Sequence, residues 1–131
     1  MSIQYKMIRK GDNLNPEGQK KVAYHPQVVR ADTVKLKKLC SHAAGSKSRN
    51  AMELELSMRI LLEQIETELC NSNSVCIEGF GTFSLTAKSR PVNNPDEIRA
   101  ESISVKRVAF TPSKILMGRL KHATFVRAKD R

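Results

Sequence analysis

The sequence contains no tryptophan, only two tyrosines and four phenylalanines, and three cysteines among 131 residues. So few aromatics imply a modest, largely aliphatic core. The cysteines, Cys40, Cys70 and Cys76, are odd in number and lie 30 and 6 residues apart, which matches neither a disulfide framework nor a zinc site. All three sit on apolar-patterned segments and read as buried thiols. Also missing is any apolar run near the roughly 20 residues that cross a bilayer, and the polar start Met1-Ser2-Ile3-Gln4-Tyr5-Lys6 lacks the core of a signal peptide. A cytoplasmic protein with no membrane partner is therefore expected.

Catalytic signatures are scarce too. His25, His42 and His122 are scattered, Glu63, Glu66 and Glu68 fan around one helix, and no glycine-rich loop ends in Lys-Ser or Lys-Thr. No enzyme, metal, cofactor or small-molecule substrate is expected.

What the chain does have is positive charge, 23 Lys and Arg against 13 Asp and Glu, for a net +10. Residues 1–49 carry eleven basic against three acidic residues, 50–83 one against six, and 84–131 eleven against four. The charge thus avoids the most apolar segment. A middle that builds the core and ends that meet a polyanion would produce this pattern.

Alternation of Ile3, Tyr5 and Met7 with polar neighbours predicts a strand over 2–10, then a loop over 11–18. Residues 21–30 read as a broken or edge strand, because Pro26 removes a ladder donor. Asp32 or Thr33 can cap a helix to about Ala44, with Leu36, Leu39, Cys40 and Ala43 on one face and Gly45 as its stop. After a polar turn over 46–50, Ser48 or Asn50 can cap a second helix over 51–70. That helix has a main stripe of Leu54, Met58, Leu61, Leu62, Ile65 and Leu69, and a second patch of Met52, Leu56 and Ile60 on its opposite side. A helix apolar on two sides in so short a chain needs another layer, and a homodimer supplies it.

Residues 75–83, Val-Cys-Ile-Glu-Gly-Phe-Gly-Thr-Phe, place Gly79 and Gly81 between aromatics at the end of an apolar strand. Glycine there permits positive φ or close approach of another chain or a phosphate. A strand to Lys88, a polar segment over 89–101 with two prolines, and a return strand over 103–110 fit a long basic β-ribbon carrying Lys88, Arg90, Arg99, Lys106 and Arg107. Thr111 then caps a last helix to about Ala123, with Pro112 at its first position and Lys114 beside free backbone N–H groups, a phosphate site.

This order of elements, with Gly79-Phe80-Gly81-Thr82-Phe83, Asn94-Pro95 near a ribbon tip, and Phe110-Thr111-Pro112-Ser113-Lys114 opening a final helix, resembles the bacterial HU/IHF histone-like DNA-binding proteins. The match spans about residues 33–123. The leading strand segment resembles the extended HU-like proteins of Bacteroides and relatives. The resemblance implies an α+β fold in which an intertwined homodimer has a helical body, a small antiparallel sheet and protruding β-ribbon arms. It divides the chain into an extension over 1–31 and an HU/IHF-like domain over 32–131, its arm at about 84–109.

The implied function is architectural and nucleoid-associated: bending or compaction of double-stranded DNA through phosphate-backbone and minor-groove contacts. HU and IHF are themselves the type examples of minor-groove binders that insert an apolar wedge. Carried over residue by residue, Pro95 stands at the intercalating position beside Asn94, Gly79 and Gly81 match the turn at the arm's base, and Lys114 matches the basic start of the last helix. The tip departs from the family pattern: Asn93 replaces an arginine, and Asp96 and Glu97 follow the proline. Pro95 therefore either enters the duplex or shapes a turn. The lysine-only charged face of the first helix lacks the mixture that reads base edges, so little sequence preference is expected. The alternative is an HU-fold interaction module whose main partner is protein or RNA, with weak DNA affinity.

Overall fold

The computed structural model describes residues 2–11, 22–45 and 50–129. Most of the expected loop over 11–18, and the turn over 46–49 with Ser48, lie outside them. In chain order the elements are β1 (Ser2–Gly11), β2 (Val22–Val28), α1 (Leu36–Ala44), α2 (Ala51–Cys70), β3 (Val75–Ile77), β4 (Gly81–Lys88), β5 (Ser104–Pro112), α3 (Lys114–Leu120) and β6 (Thr124–Arg127). They divide into two compact units, one over 35–119 and one joining 1–34 to 120–131. The family resemblance implies a break at 31/32, with the C-terminal residues kept with the helices.

In the 35–119 unit, α1 starts where its apolar periodicity starts, with Lys35 at the N-cap and no side-chain cap. Asp32 and Thr33 lie before it in irregular chain, so neither caps it. At its end Gly45 takes φ +50°, a backbone conformation that glycine adopts readily, and donates its N–H to Ser41 O at 3.0 Å. The cap of α2 is Asn50, whose Oδ1 accepts the Met52 N–H at 2.9 Å. At the far end Asn73 Nδ2 and Gln64 Nε2 donate to the Glu68 carboxylate at 2.8 and 2.9 Å. These bonds, Asn73's first, hold its carboxyl below the usual range.

Packing of α1 on α2 buries Cys40 and Ala44, and Leu69 is buried near the end of α2. These three are the buried hydrophobic residues among those described. Both apolar stripes of α2 remain largely open: Leu61 is 60% exposed, and Met52, Leu56 and Ile60 are 77%, 63% and 58% exposed. Cys70 and Cys76 are exposed, correcting the expectation that all three thiols are buried. Cys70 is the last residue of α2, and Cys76 is flanked in β3 by Val75, whose side chain alternates to the other, half-buried side.

Strands β3, β4 and β5 form an antiparallel sheet in that order. Pairing of β4 with β5 carries the expected ribbon from its base at Gly81 and Pro112 as far as Lys88 and Ser104, where the ladder stops. The distal residues instead fold into two 3-10 turns, Pro95–Glu97 and Ala100–Ser102. The last helix also begins later than its sequence suggests. Pro112 ends β5, and Ser113 Oγ accepts the Leu116 N–H at 3.0 Å, so Ser113, not Thr111, provides the cap.

In the other unit β1 is central, pairing antiparallel with β2 and parallel with β6, in the order β2-β1-β6. Pro26 lies opposite Met7 on the edge strand β2, where its missing N–H costs no ladder bond. Strand β6 is new relative to the sequence reading; its register sets Ile3 beside Phe125 and Tyr5 beside Arg127.

Candidate nucleic-acid interface

The register of β4 on β5 gives the hairpin two unlike faces. Phe83 lies opposite Phe110, Leu85 opposite Val108 and Ala87 opposite Val105, forming an apolar face. The ring centroids of Phe110 lie 4.9 Å from Phe83 and 5.4 Å from Phe80. The intervening positions Thr82, Ser84, Thr86 and Lys88 face Thr111, Ala109, Arg107 and Ser104. Period-two alternation therefore collects hydroxyls with Lys88 and Arg107 on one side. Between Thr86 and Ala87 the register shifts, and Lys106 becomes an extra residue on β5, an irregularity that bends a strand and increases its twist.

Arg90, Arg99 and Lys114 are exposed, as are Lys88, Lys106 and Arg107. The hairpin thus brings Lys88 and Arg107 onto one face, whereas Arg90 and Arg99 belong to the loop beyond it. Asn94 Oδ1 accepts the Asp96 N–H at 3.2 Å, capping the short turn that Pro95 opens. Asp96 and Glu97 occupy that turn and are exposed. Arg99 carries the next turn on its backbone: its carbonyl accepts from Ser102 N at 2.9 Å and Ser102 Oγ at 2.7 Å.

The glycine turn has two separate tasks. The Ile77 carbonyl accepts the Phe80 N–H at 2.9 Å, and Gly79, at φ +77°, supplies the left-handed position that this turn requires. Gly81 is buried in β4, where a side chain would run into the Phe110 ring and come within 2.6 Å of Thr111 O. The close approach expected of Gly81 is thus made by the chain's own phenylalanine. Lys114 is the first residue of a helix seven residues long, whose Leu116 N–H is taken by Ser113 Oγ.

Arg119 escaped the sequence reading. Its guanidinium donates to Gly79 O at 2.6 Å, tying α3 to the turn, while Ser113 N donates to Phe80 O at 2.9 Å. A contact spanning 40 residues leaves no local signal.

Helix pair, β-hairpin with one basic face, capped turn at Asn94-Pro95 and short final helix together define an HU-type DNA-binding fold. Residues 1–127 match the family of HU domains fused to a wHTH, Ig or glycine-rich motif. The chain belongs to that family, within the HU/IHF group of DNA-binding proteins. It is 37% identical over 73 residues to the integration host factor subunit alpha of Histophilus somni, covering 54% of this chain and 75% of that one. It is 35% identical over 82 residues to the same subunit of an Enterobacter species, covering 61% and 80%. A crystal structure from Bacteroides vulgatus, of a protein to which DNA binding has been ascribed, superposes with a TM-score of 0.69 at 15% identity. It covers 99% of this chain, which spans half the length of that protein.

Proposed function

We infer that the protein is an architectural DNA-binding protein acting as a homodimer on double-stranded DNA, without catalytic activity of its own. The observation that carries this reading is the β4/β5 hairpin, whose register gathers Lys88 and Arg107 with the hydroxyls of Thr82, Ser84 and Thr86 on one face. Such a face meets phosphate oxygens with cations and small donors while offering little that distinguishes one base from another. Arg90, Arg99, Lys106 and Lys114 extend the basic surface, and arginine suits a narrow minor groove. Gly79 and Gly81 act through geometry, by shaping the turn and seating Phe110. At the tip, Asn94 and Pro95 shape a capped turn, and the carboxylates of Asp96 and Glu97 oppose deep entry between phosphates.

Dimerisation follows from the open stripes of α2. Burying a side chain such as Met52, Leu56, Ile60 or Leu61 stabilises by about 1.5–3 kcal/mol each. A few such residues equal a typical domain's net stability of about 5–15 kcal/mol. A second copy covers both stripes and supplies the layer that a single chain lacks. Duplex binding of this kind places the protein on the nucleoid, in the cytoplasm.

Electrophoretic mobility shift with duplex, nicked duplex and RNA tests the reading. If about six phosphates are contacted, duplex affinity falls about a thousandfold between roughly 50 and 200 mM salt. Salt-insensitive or absent duplex binding would sink it, and a well-folded monomer in sedimentation equilibrium would remove the dimer.

A further inference from the structure

The β2-β1-β6 sheet carries a surface that the duplex-binding hairpin does not use. Its register places Arg9 directly opposite Tyr24 and Arg127 directly beside Tyr5, and cross-strand partners share a face. Phe125 lies on that same face, its ring 6.5 Å from Tyr5 and nearly perpendicular to it. Tyr24 and Phe125 are 62% and 60% exposed. Tyr5, Met7, Pro26, Val28 and Phe125 line a shallow depression between them. Across the three strands stand four Lys or Arg (Lys6, Arg9, Lys10, Arg127) and no Asp or Glu.

We propose that this face is a second nucleic-acid site, a stacking platform for a short single-stranded segment of DNA or RNA. Unpaired bases offer flat π-faces to Tyr24, Tyr5 and Phe125, and the arginine beside each tyrosine meets the adjoining phosphates. Three strands about 4.8 Å apart give room for two or three bases. A duplex cannot use the platform, because its bases are stacked on one another. A second copy of the chain is the poorer occupant: an isologous face-to-face contact would bring Arg9 and Arg127 of both copies together with no carboxylate in the strands to neutralise them.

The chain's two tyrosines are Tyr5 and Tyr24, and it has no tryptophan, so its intrinsic fluorescence reports on this face alone. The full chain is titrated with oligothymidylate and oligouridylate of about ten nucleotides, with absorbance correction, and affinity is measured in parallel from the anisotropy of labelled oligonucleotide. Saturable tyrosine quenching is expected. Tyr24→Ala and Phe125→Ala each weaken binding about tenfold, whereas Tyr24→Phe, which keeps the ring, retains it. Stronger binding of one oligonucleotide identifies the sugar the site prefers.

Three results overturn the proposal: no quenching, unchanged affinity in both alanine variants with wild-type circular dichroism, or a fluorescence change that follows protein concentration alone. The last would make the face a contact between copies. The triple variant Arg90→Ala/Arg99→Ala/Arg107→Ala separates this site from the hairpin: it loses duplex binding and keeps the quenching. Failure at one site is thereby distinguishable from failure at the other.

Discussion

The two three-stranded sheets of this chain handle charge in opposite ways. In β3-β4-β5, alternation sends Phe83, Leu85, Val108 and Phe110 to one face and Lys88, Arg107 and the threonines to the other. In β2-β1-β6, arginines stand beside aromatics on a single face. A segregated sheet can pack one side and present a uniform charged side to phosphates. A mixed sheet leaves rings exposed beside cations, the arrangement that the proposed flat, anionic ligand would meet.

The contrast is broken most directly by removing cations of the hairpin and of the loop beyond it. Arg90→Ala/Arg99→Ala/Arg107→Ala should lower duplex affinity about a hundredfold or more at moderate salt. It should also make the log-log salt slope shallower by roughly 0.9 for each phosphate left without its cation. Equal losses for duplex and for oligothymidylate would show that the two sheets do not act separately.

A smaller effect, on stability, tests how the segregated sheet is built. Gly81→Ala forces a methyl group into Phe110 and Thr111 O, and should cost about 1–3 kcal/mol in urea denaturation. Gly118→Ala, in α3 where nothing lies within 4 Å, should instead stabilise by up to about 1 kcal/mol. Unchanged or raised stability of Gly81→Ala would show that Phe110 does not seat on Gly81.

At the hairpin's tip, Asp96→Asn/Glu97→Gln should raise duplex affinity a few fold by removing two negative charges near phosphates. Pro95→Ala should leave DNA bending, followed by fluorescence transfer, almost unchanged. A large loss of bending would mean that the proline enters the duplex after all.

The least effect belongs to Glu68. Its folded carboxyl titrates below its ordinary value, so its contribution is fully present above that value and fades as pH falls through the lower, folded one. Glu68→Gln should therefore lower Tm slightly at neutral pH, with the difference vanishing in acid.

Much of this was legible from residue order. The α2 boundaries, the Asn50 cap, the edge position of Pro26 and the Gly79 turn are local matters of propensity, missing donors and positive φ, and they formed as their residues dictate. Late starts of α1 and α3 show the limit of that reasoning: Thr111 and Ser113 are both competent caps, and the pairing of β5 as far as Pro112 chose between them. The candidate cations were legible as types. Their sorting into Lys88 and Arg107 on one hairpin face, Lys106 at an irregularity, and Arg90 and Arg99 on capped turns was not, because one register shift decides which side a strand residue takes.

By itself, then, the sequence determined the charge at the chain's two ends, the two-sided α2, and the hydroxyl, aromatic and glycine alternation of the hairpin. Only the tertiary structure decided that Gly81 seats Phe110, that Arg119 holds Gly79, and that the last strand returns to the first. Those choices depend on partners far apart in the chain, and a pairing such as Tyr5 with Arg127 exists only once the backbone has brought its ends together.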